Sequence, residues 1–382
     1  MADADDATEP KTAGSINPHI FHCCKSCARK RRTKYLPQEV FFEFLSYLSA
    51  QVLYDVMRHV CKEWNLIIRS RDFINLHRLR NSTTGILIQE CWPMADNVVY
   101  VEMRRGCMEI SKLDYRFKNL VWASCNGLVL VDDPRDRQIL YVINLLTKQW
   151  AVLPPFSHKI IFFPSFGLAF CEASMEYKVV YASGEEFLNP RTRIHVLTVG
   201  VDKVWRCIDI KPLDGFSYRI PFVIGGYVHF IGKTVVLTLN VETEAVCRFS
   251  LPQFIIASTK RGKFMAMGSN LSFFCVTTKF LRDVWEMNPI TGEWIMTLKI
   301  DLKPVRHRFK EISQVKNFLS LIPCCWLVVR EVLLFCDWHP TRHCIAYNVK
   351  TREIRLIELS TDAKRHNFRG HVNSLVSLEG GF

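Results

Sequence analysis

The sequence predicts a small all-α module followed by a large all-β domain, most simply a β-propeller of about six blades. Three observations carry that expectation. Between residues 36 and 68, apolar side chains recur at three- and four-residue steps. From residue 84 onward, β-branched and aromatic runs alternate with short polar turns, and helical spacing is scarce. One seven-residue turn pattern then recurs through this second part.

The helical part opens with LPQEVFFEFLSYL (36–48), where Pro37 suits a first helical turn because its missing N–H costs nothing there. Val40, Phe41, Phe44, Leu45 and Leu48 share one broad stripe, whereas Phe42 points away from it. After the polar break SAQ comes VLYDVMRHVCKEWNLIIRS (52–70), in which Leu53, Val56, Met57, Val60, Trp64, Ile67 and Ile68 predict two short helices. A unit of about 45 residues is near the lower limit for an independent core. It is therefore either an N-terminal cap of the next domain or a module that keeps an apolar face for another chain.

In the β part the repeat reads N-x-x-T-x-x-Φ, with Φ apolar: Asn144 to Trp150, Asn240 to Val246, Asn288 to Trp294 and Asn348 to Ile354. A weaker copy (196–210) keeps Trp205 in the apolar place. Asn and Thr side chains can hydrogen-bond nearby backbone and hold a tight turn, and the apolar residue then starts a strand. Each copy follows two strand-like runs, for example LVLV then ILYVI. Units of three or four strands, repeating every ~40 to 60 residues, must stack on neighbours to bury both faces, which a ring of sheets achieves. Trp150, Trp205 and Trp294 are expected to pack between blades, and the helical module to project from the propeller's side. The alternative is a β-sandwich with coincidental turn motifs.

Composition limits the function classes. The chain has 382 residues, 49% hydrophobic and 12% aromatic, which fits globular domains. Its longest apolar run, FLSLIPCCWLVV (318–329), is too short for a bilayer and broken by Pro323, and the acidic opening MADADDATEP is unlike a signal peptide. A soluble, intracellular protein is expected, with no membrane partner. Of the cations behind a formal net charge of +13, six (Lys25, Arg29, Lys30, Arg31, Arg32 and Lys34) fall in one acid-free stretch of the tail. Arg29, Lys30, Arg31, Arg32 and Lys34 read as a nuclear localisation signal, as a contact for an acidic surface, or as a solvated linker.

The fifteen cysteines are scattered and odd in number, so they read as reduced core residues rather than disulfides. His19, His22, Cys23, Cys24 and Cys27 could ligate zinc, but no second ligand pair follows, and a flexible tail (1–34) is the simpler reading. The stretch from Cys336 through His339 and His343 to Cys344 occupies a hairpin turn, where alternation is expected to scatter side chains over both faces. Glu185 and Glu186 form a turn pair with no partner for acid–base work. With no nucleophile elbow, phosphate loop or zincin motif, no catalytic site, metal or cofactor is expected. Lys303, Arg306, Arg308 and Lys310 raise nucleic-acid binding, a reading that rests on charge alone.

Leu36-Pro37-Gln38-Glu39-Val40, Phe44-Leu45-Ser46-Tyr47-Leu48 and Val60-Cys61-Lys62-Glu63-Trp64, followed by Ile67, Ser70, Phe73, Leu76 and His77, resemble an F-box over residues 35–80. The resemblance implies a three-helix module that binds a Skp-type adaptor, and through it a cullin and a RING subunit, in a ubiquitin ligase. Carried onto this sequence, the adaptor-binding residues are Leu36, Pro37, Val40, Phe41, Leu45, Leu48, Leu53, Val60, Cys61 and Trp64. Asp55 and His59 depart from the family pattern. SCNGLVLV (124–131), NLLTKQWAVLPP (144–155), GLAFCEASMEYKVV (167–180) and HVNSLVSL (371–378) resemble the kelch-like F-box-associated domain of plant F-box proteins, here 84–382. Together they imply a non-enzymatic substrate receptor, in nucleus and cytoplasm, whose propeller captures an unknown target protein. The alternative is an F-box scaffold or regulator acting outside a cullin ligase.

Overall fold

The computed structural model describes residues 37–80, 85–92, 94–104, 107–112, 120–133, 135–136, 138–156, 166–184, 192–210, 221–313, 318–328, 331–337, 343–358 and 365–378. The basic run Arg29 to Lys34, the zinc candidates His19 to Cys27, Leu36, and the pair Glu185 and Glu186 lie outside these residues.

Four helices come first: Gln38–Ser46 (α1), Ala50–Asp55 (α2), Lys62–Arg69 (α3) and Arg71–Arg80 (α4), with a 3-10 turn at Met57–His59. Local chemistry sets their ends. Pro37 precedes α1 with φ −54°. Ser49 caps α2 by accepting from the Val52 N–H at 3.4 Å, and Ser70 both ends α3 and accepts from the Phe73 N–H at 3.3 Å as α4 begins. Acidic Glu63 and basic Arg69 sit at the favourable ends of α3's dipole.

Phe42 has a partner that its own helix does not reveal. It meets Phe73 of α4 edge-on, with ring centroids 5.2 Å apart. The side of α1 that carries Phe42 is thus covered by the last helix. His77 of α4 completes the contact, its Nε2 lying 2.8 Å from the Leu48 carbonyl.

Among the described residues, the strands form six four-stranded antiparallel sheets arranged in a ring, a six-bladed β-propeller. Blade one combines Gly85–Trp92 (β1), Met94–Arg104 (β2) and Cys107–Lys112 (β3) with a strand from the other end of the chain, described below. Blade two is Val121–Cys125 (β4), Leu128–Asp132 (β5), Leu140–Asn144 (β6) and Trp150–Val152 (β7). Blade three is Phe166–Cys171 (β8), Glu176–Gly184 (β9), Thr192–Thr198 (β10) and Arg206–Ile210 (β11). Blade four is Phe222–Ile224 (β12), Tyr227–Ile231 (β13), Val235–Asn240 (β14) and Val246–Ser250 (β15), and Gln253–Ser258 (α5) follows it. Blade five is Gly262–Met267 (β16), Asn270–Val276 (β17), Leu281–Met287 (β18) and Trp294–Asp301 (β19), and Arg306–Ser313 (α6) follows. Blade six is Leu321–Val328 (β20), Val332–Asp337 (β21), His343–Asn348 (β22) and Ile354–Glu358 (β23). Arg365–His371 (β24) then becomes the inner strand of blade one, pairing with β1 from Gly85 opposite His371 to Trp92 opposite Arg365. Joining the two ends of the domain in one sheet closes the ring.

Burial follows position in the blade. Strands β5 and β8 are buried at every residue, whereas the outer strand β11 alternates between half-buried and exposed positions. Pro323 is tolerated because β20 pairs only with β21 and turns its free edge to the channel.

The repeat turn has one geometry in four blades. The Asn side-chain oxygen accepts from the backbone N–H two and three residues on: 2.9 and 3.2 Å after Asn144, and 2.8 and 3.2 Å after Asn288. The fifth residue is left-handed: φ is +60° at Lys148, +56° at Glu244, +76° at Gly292 and +60° at Arg352. Only Gly292 must be glycine for space as well, since a Cβ there would lie 2.2 Å from Phe249 of blade four. Blade three closes its turn differently: Asp202, at the fifth position, accepts from the Thr198 N–H four residues before it at 2.6 Å.

Trp150 differs from expectation. Trp205 packs into the blade two and three core with its indole N–H donated to the Pro154 carbonyl at 2.9 Å, and Trp294 packs against the core shared by blades four and five. Trp150 is instead 60% exposed and meets Tyr141 of its own blade. The outer strand β7 presents Trp150 and Val152 outward, away from the inter-blade core.

Candidate partner-binding site

Antiparallel order decides which loops share a face. The turns between first and second strands and between third and fourth strands lie at one face of the ring; the remaining connections, including α5 and α6, lie at the other. The helical module sits on the first of these faces rather than projecting from the side. Its core of Leu45, Ala50, Leu53, Ile67, Ile68 and Phe73 is continuous with Leu146 of blade two's repeat turn and Leu375 beyond β24. The Tyr54 hydroxyl donates to the Thr147 carbonyl at 3.3 Å, and Arg78 pairs with Glu172 at 3.3 Å while lying over the Phe170 ring. A side-on module would have left all of these groups in water.

The sequence-predicted adaptor residues divide into three sets. Pro37, Val40 and Val60 are exposed, and Phe41, Leu48, Cys61 and Trp64 are half-buried. Leu45 and Leu53 are fully buried in the module's own core, so their side chains offer no surface. Phe44, Val56 and Leu66 are likewise more than half exposed. Phe41, Phe44 and Trp64 form an aromatic group, with Trp64 5.8 Å from Phe41 and 6.5 Å from Phe44. Helical phase carried the signal for Phe44, which lies four residues from Val40 on α1, whereas Val56 and Val60 flank the 3-10 turn and α-helical phase does not relate them. Such an apolar cluster on a small helical unit fits a protein partner.

Two polar contacts join α4 to the first turns of the module. Glu43 pairs with Arg80 at 2.9 Å, and hydrogen bonding from Arg80 holds the Glu43 carboxyl below its usual range. Burial lowers the pKa of His77, against the opposing effect of its Leu48 carbonyl partner.

The cysteine stretch of blade six corrects one expectation. Cys336 and Cys344 are direct partners across β21 and β22, so their side chains share a face, and their sulfurs approach to 2.9 Å. Alternation scatters neighbours in sequence but aligns residues directly opposite across a ladder. Residues 338–342 lie outside the described set, and among the described residues no three His, Cys, Asp or Glu side chains converge to hold a metal. Two cysteines also depart from a core role: Cys207 and Cys247 are exposed on outer strands.

Lys303, Arg306, Arg308 and Lys310 are exposed in and just before α6, on the face opposite the helical module, while Val305 and Phe309 bury the helix's other side. Among the described residues, no helix is long and apolar enough to cross a membrane.

No family model matches the chain. The F-box protein At5g49610 of Arabidopsis thaliana is 24% identical over 267 residues, covering 65% of this chain and 73% of that protein. A second Arabidopsis thaliana protein, At5g52610, whose name also contains F-box, is 26% identical over 214 residues, covering 54% of this chain and 55% of its own length. Among solved structures, TolB from Acinetobacter baumannii aligns with a TM-score of 0.42 at 9% identity, covering 79% of this chain and 73% of that one. The chain is similar in sequence to plant proteins named for an F-box.

Proposed function

We propose that the protein is the substrate-recognition subunit of a Skp-cullin-F-box ubiquitin ligase and is not itself an enzyme. The helical module docks the Skp-type adaptor, which brings the cullin and RING subunit. The propeller, of the kelch-like F-box-associated kind, captures a target protein. One observation carries this reading: the aromatic group Phe41, Phe44 and Trp64, with exposed Val40 and Val60, lies on a module whose other side is already committed to the propeller. The relatives named F-box proteins support it.

The face bearing α5 and α6 is the natural one for the target, because the helical module occupies part of the opposite face. Target and adaptor would then bind at opposite ends of one rigid ring.

The test is copurification from plant cells of the full chain and a Phe44→Asp, Val60→Asp double variant. The wild type should carry the adaptor and a cullin, and the double variant should lose both while keeping its melting temperature. Exposed apolar anchors of this kind are each worth about 2 kcal/mol or more when central to an interface. Adaptor without cullin would favour the scaffold reading, and full adaptor retention by the variant would refute this docking surface.

A further inference from the structure

The propeller encloses a cavity of about 710 Å³ along its axis, walled by the inner strands and roofed at one end by α4 through Ile74, His77, Arg78 and Leu79. That volume is in the range of small-molecule sites. Its wall is chemically one-sided. Arg78, Lys263 and Arg369 all line it, and no Asp or Glu does among the described residues. Permanent cations in a concave, low-dielectric enclosure focus a positive potential inward and raise the local concentration of anions.

The cations are set into the wall. Arg369, on β24, is anchored by its Nε donating to the Trp122 carbonyl at 2.9 Å. Lys263, on β16, lies on the other side of β20, so the two bracket the strand that carries Trp326. Arg78 approaches from the roof and pairs with Glu172, a largely exposed carboxylate at the rim and not in the wall. Between the cations the lining is aromatic and apolar, including Trp122, Phe264, Trp326 and Phe368. The buried indole N–H groups of Trp122 and Trp326 have no acceptor among the described residues. These too are donors.

We propose that the axial cavity binds a small organic anion, a carboxylate or phosphate monoester carried on a flat apolar body, with Lys263 holding the charge and the aromatic wall holding the body. Because α4 belongs to the helical module, the ligand would contact both parts of the protein. The inference does not depend on adaptor binding or on any ligase role.

Isothermal titration of the full chain with 1-naphthyl phosphate, 1-naphthoate and uncharged 1-naphthol tests it. One or both anions should bind saturably at one site per chain, and 1-naphthol at least about tenfold more weakly, as expected when a charge-assisted contact is removed. The two anions distinguish a phosphate head from a carboxylate head. Lys263→Gln should weaken the better anion by about tenfold, and Lys263→Arg should largely restore it. Arg308→Gln, on the exposed surface of α6, should change nothing. Circular dichroism melts of each variant establish that it is folded. Equal affinity for 1-naphthol, no saturable binding of either anion, or full affinity in folded Lys263→Gln would each overturn the proposal.

Discussion

Asn144 donates its side-chain amide to the carbonyl of Ser374 at 3.1 Å, and also to that of Val376 at 2.6 Å. The same side chain's oxygen closes the repeat turn, so one buried residue both shapes a hairpin and fastens the segment beyond β24 across blade two. Asn240, Asn288 and Asn348 close equivalent turns. The fastened segment carries Leu375 into the core of the helical module, so Asn144 links ring closure to module docking.

Asn144→Ala should therefore cost more than Asn240→Ala. The first change leaves buried backbone groups unpaired, at about 1–3 kcal/mol each, whereas the second leaves partly exposed groups that water can satisfy. Thermal melts of the two variants check this. Equal losses would mean that the bonds to Ser374 and Val376 contribute nothing.

The three repeat tryptophans should separate in the same assay. Trp205→Ala empties a site in the blade two and three core and strands the Pro154 carbonyl, so a loss of about 3 to 5 kcal/mol is expected. Trp294→Ala should be comparable, since that ring is packed on the blade four and five core. Trp150→Ala should cost roughly 1 kcal/mol or less, because most of its surface already meets water. A large loss at Trp150 would show that blade two is packed otherwise.

These residues also mark how far the sequence was legible. The spacing of Leu53, Trp64 and Ile67 defines helices, and N-x-x-T-x-x-Φ defines turns, because both signals are local. The partner of Phe42 was not legible: it depends on how α4 folds back over α1. Nor was the exposure of Trp150, since every copy of the turn looks alike until the neighbouring blades are placed. The axial cavity brings together Arg78, Lys263 and Arg369 from distant parts of the chain, and only ring closure makes them neighbours. The Cys336 and Cys344 pairing required the register of β21 and β22.

We further propose that Arg29, Lys30, Arg31, Arg32 and Lys34 direct the protein to the nucleus, alongside a cytoplasmic pool. A dense cationic run free of acids suits an acidic receptor groove. Imaging a fluorescently tagged chain with these five residues changed to Ala should show nuclear signal lost and cytoplasmic signal kept. Unchanged nuclear accumulation would rule the run out as the signal.

Two buried histidines set an acid limit on the propeller. His229 is 1% exposed, with Nδ1 2.9 Å from the Thr238 hydroxyl, and burial lowers its pKa to about 4. His371 is 2% exposed against Ser124 and Tyr100, and burial likewise lowers it to about 4. In the unfolded chain both titrate near 6.5. Between those values the unfolded state binds the extra protons, so stability is complete above about pH 6.5 and falls as the pH drops toward 4. From pH 7 to pH 5 the loss should be on the order of 2 kcal/mol per histidine. Urea melts at the two pH values measure it. His229→Gln, which keeps a polar group for Thr238 but cannot be protonated in this range, should remove about half of the pH dependence contributed by the pair. If wild type and variant lose equal stability on acidification, His229 is not buried in its neutral form and the packing assigned to blade four is wrong.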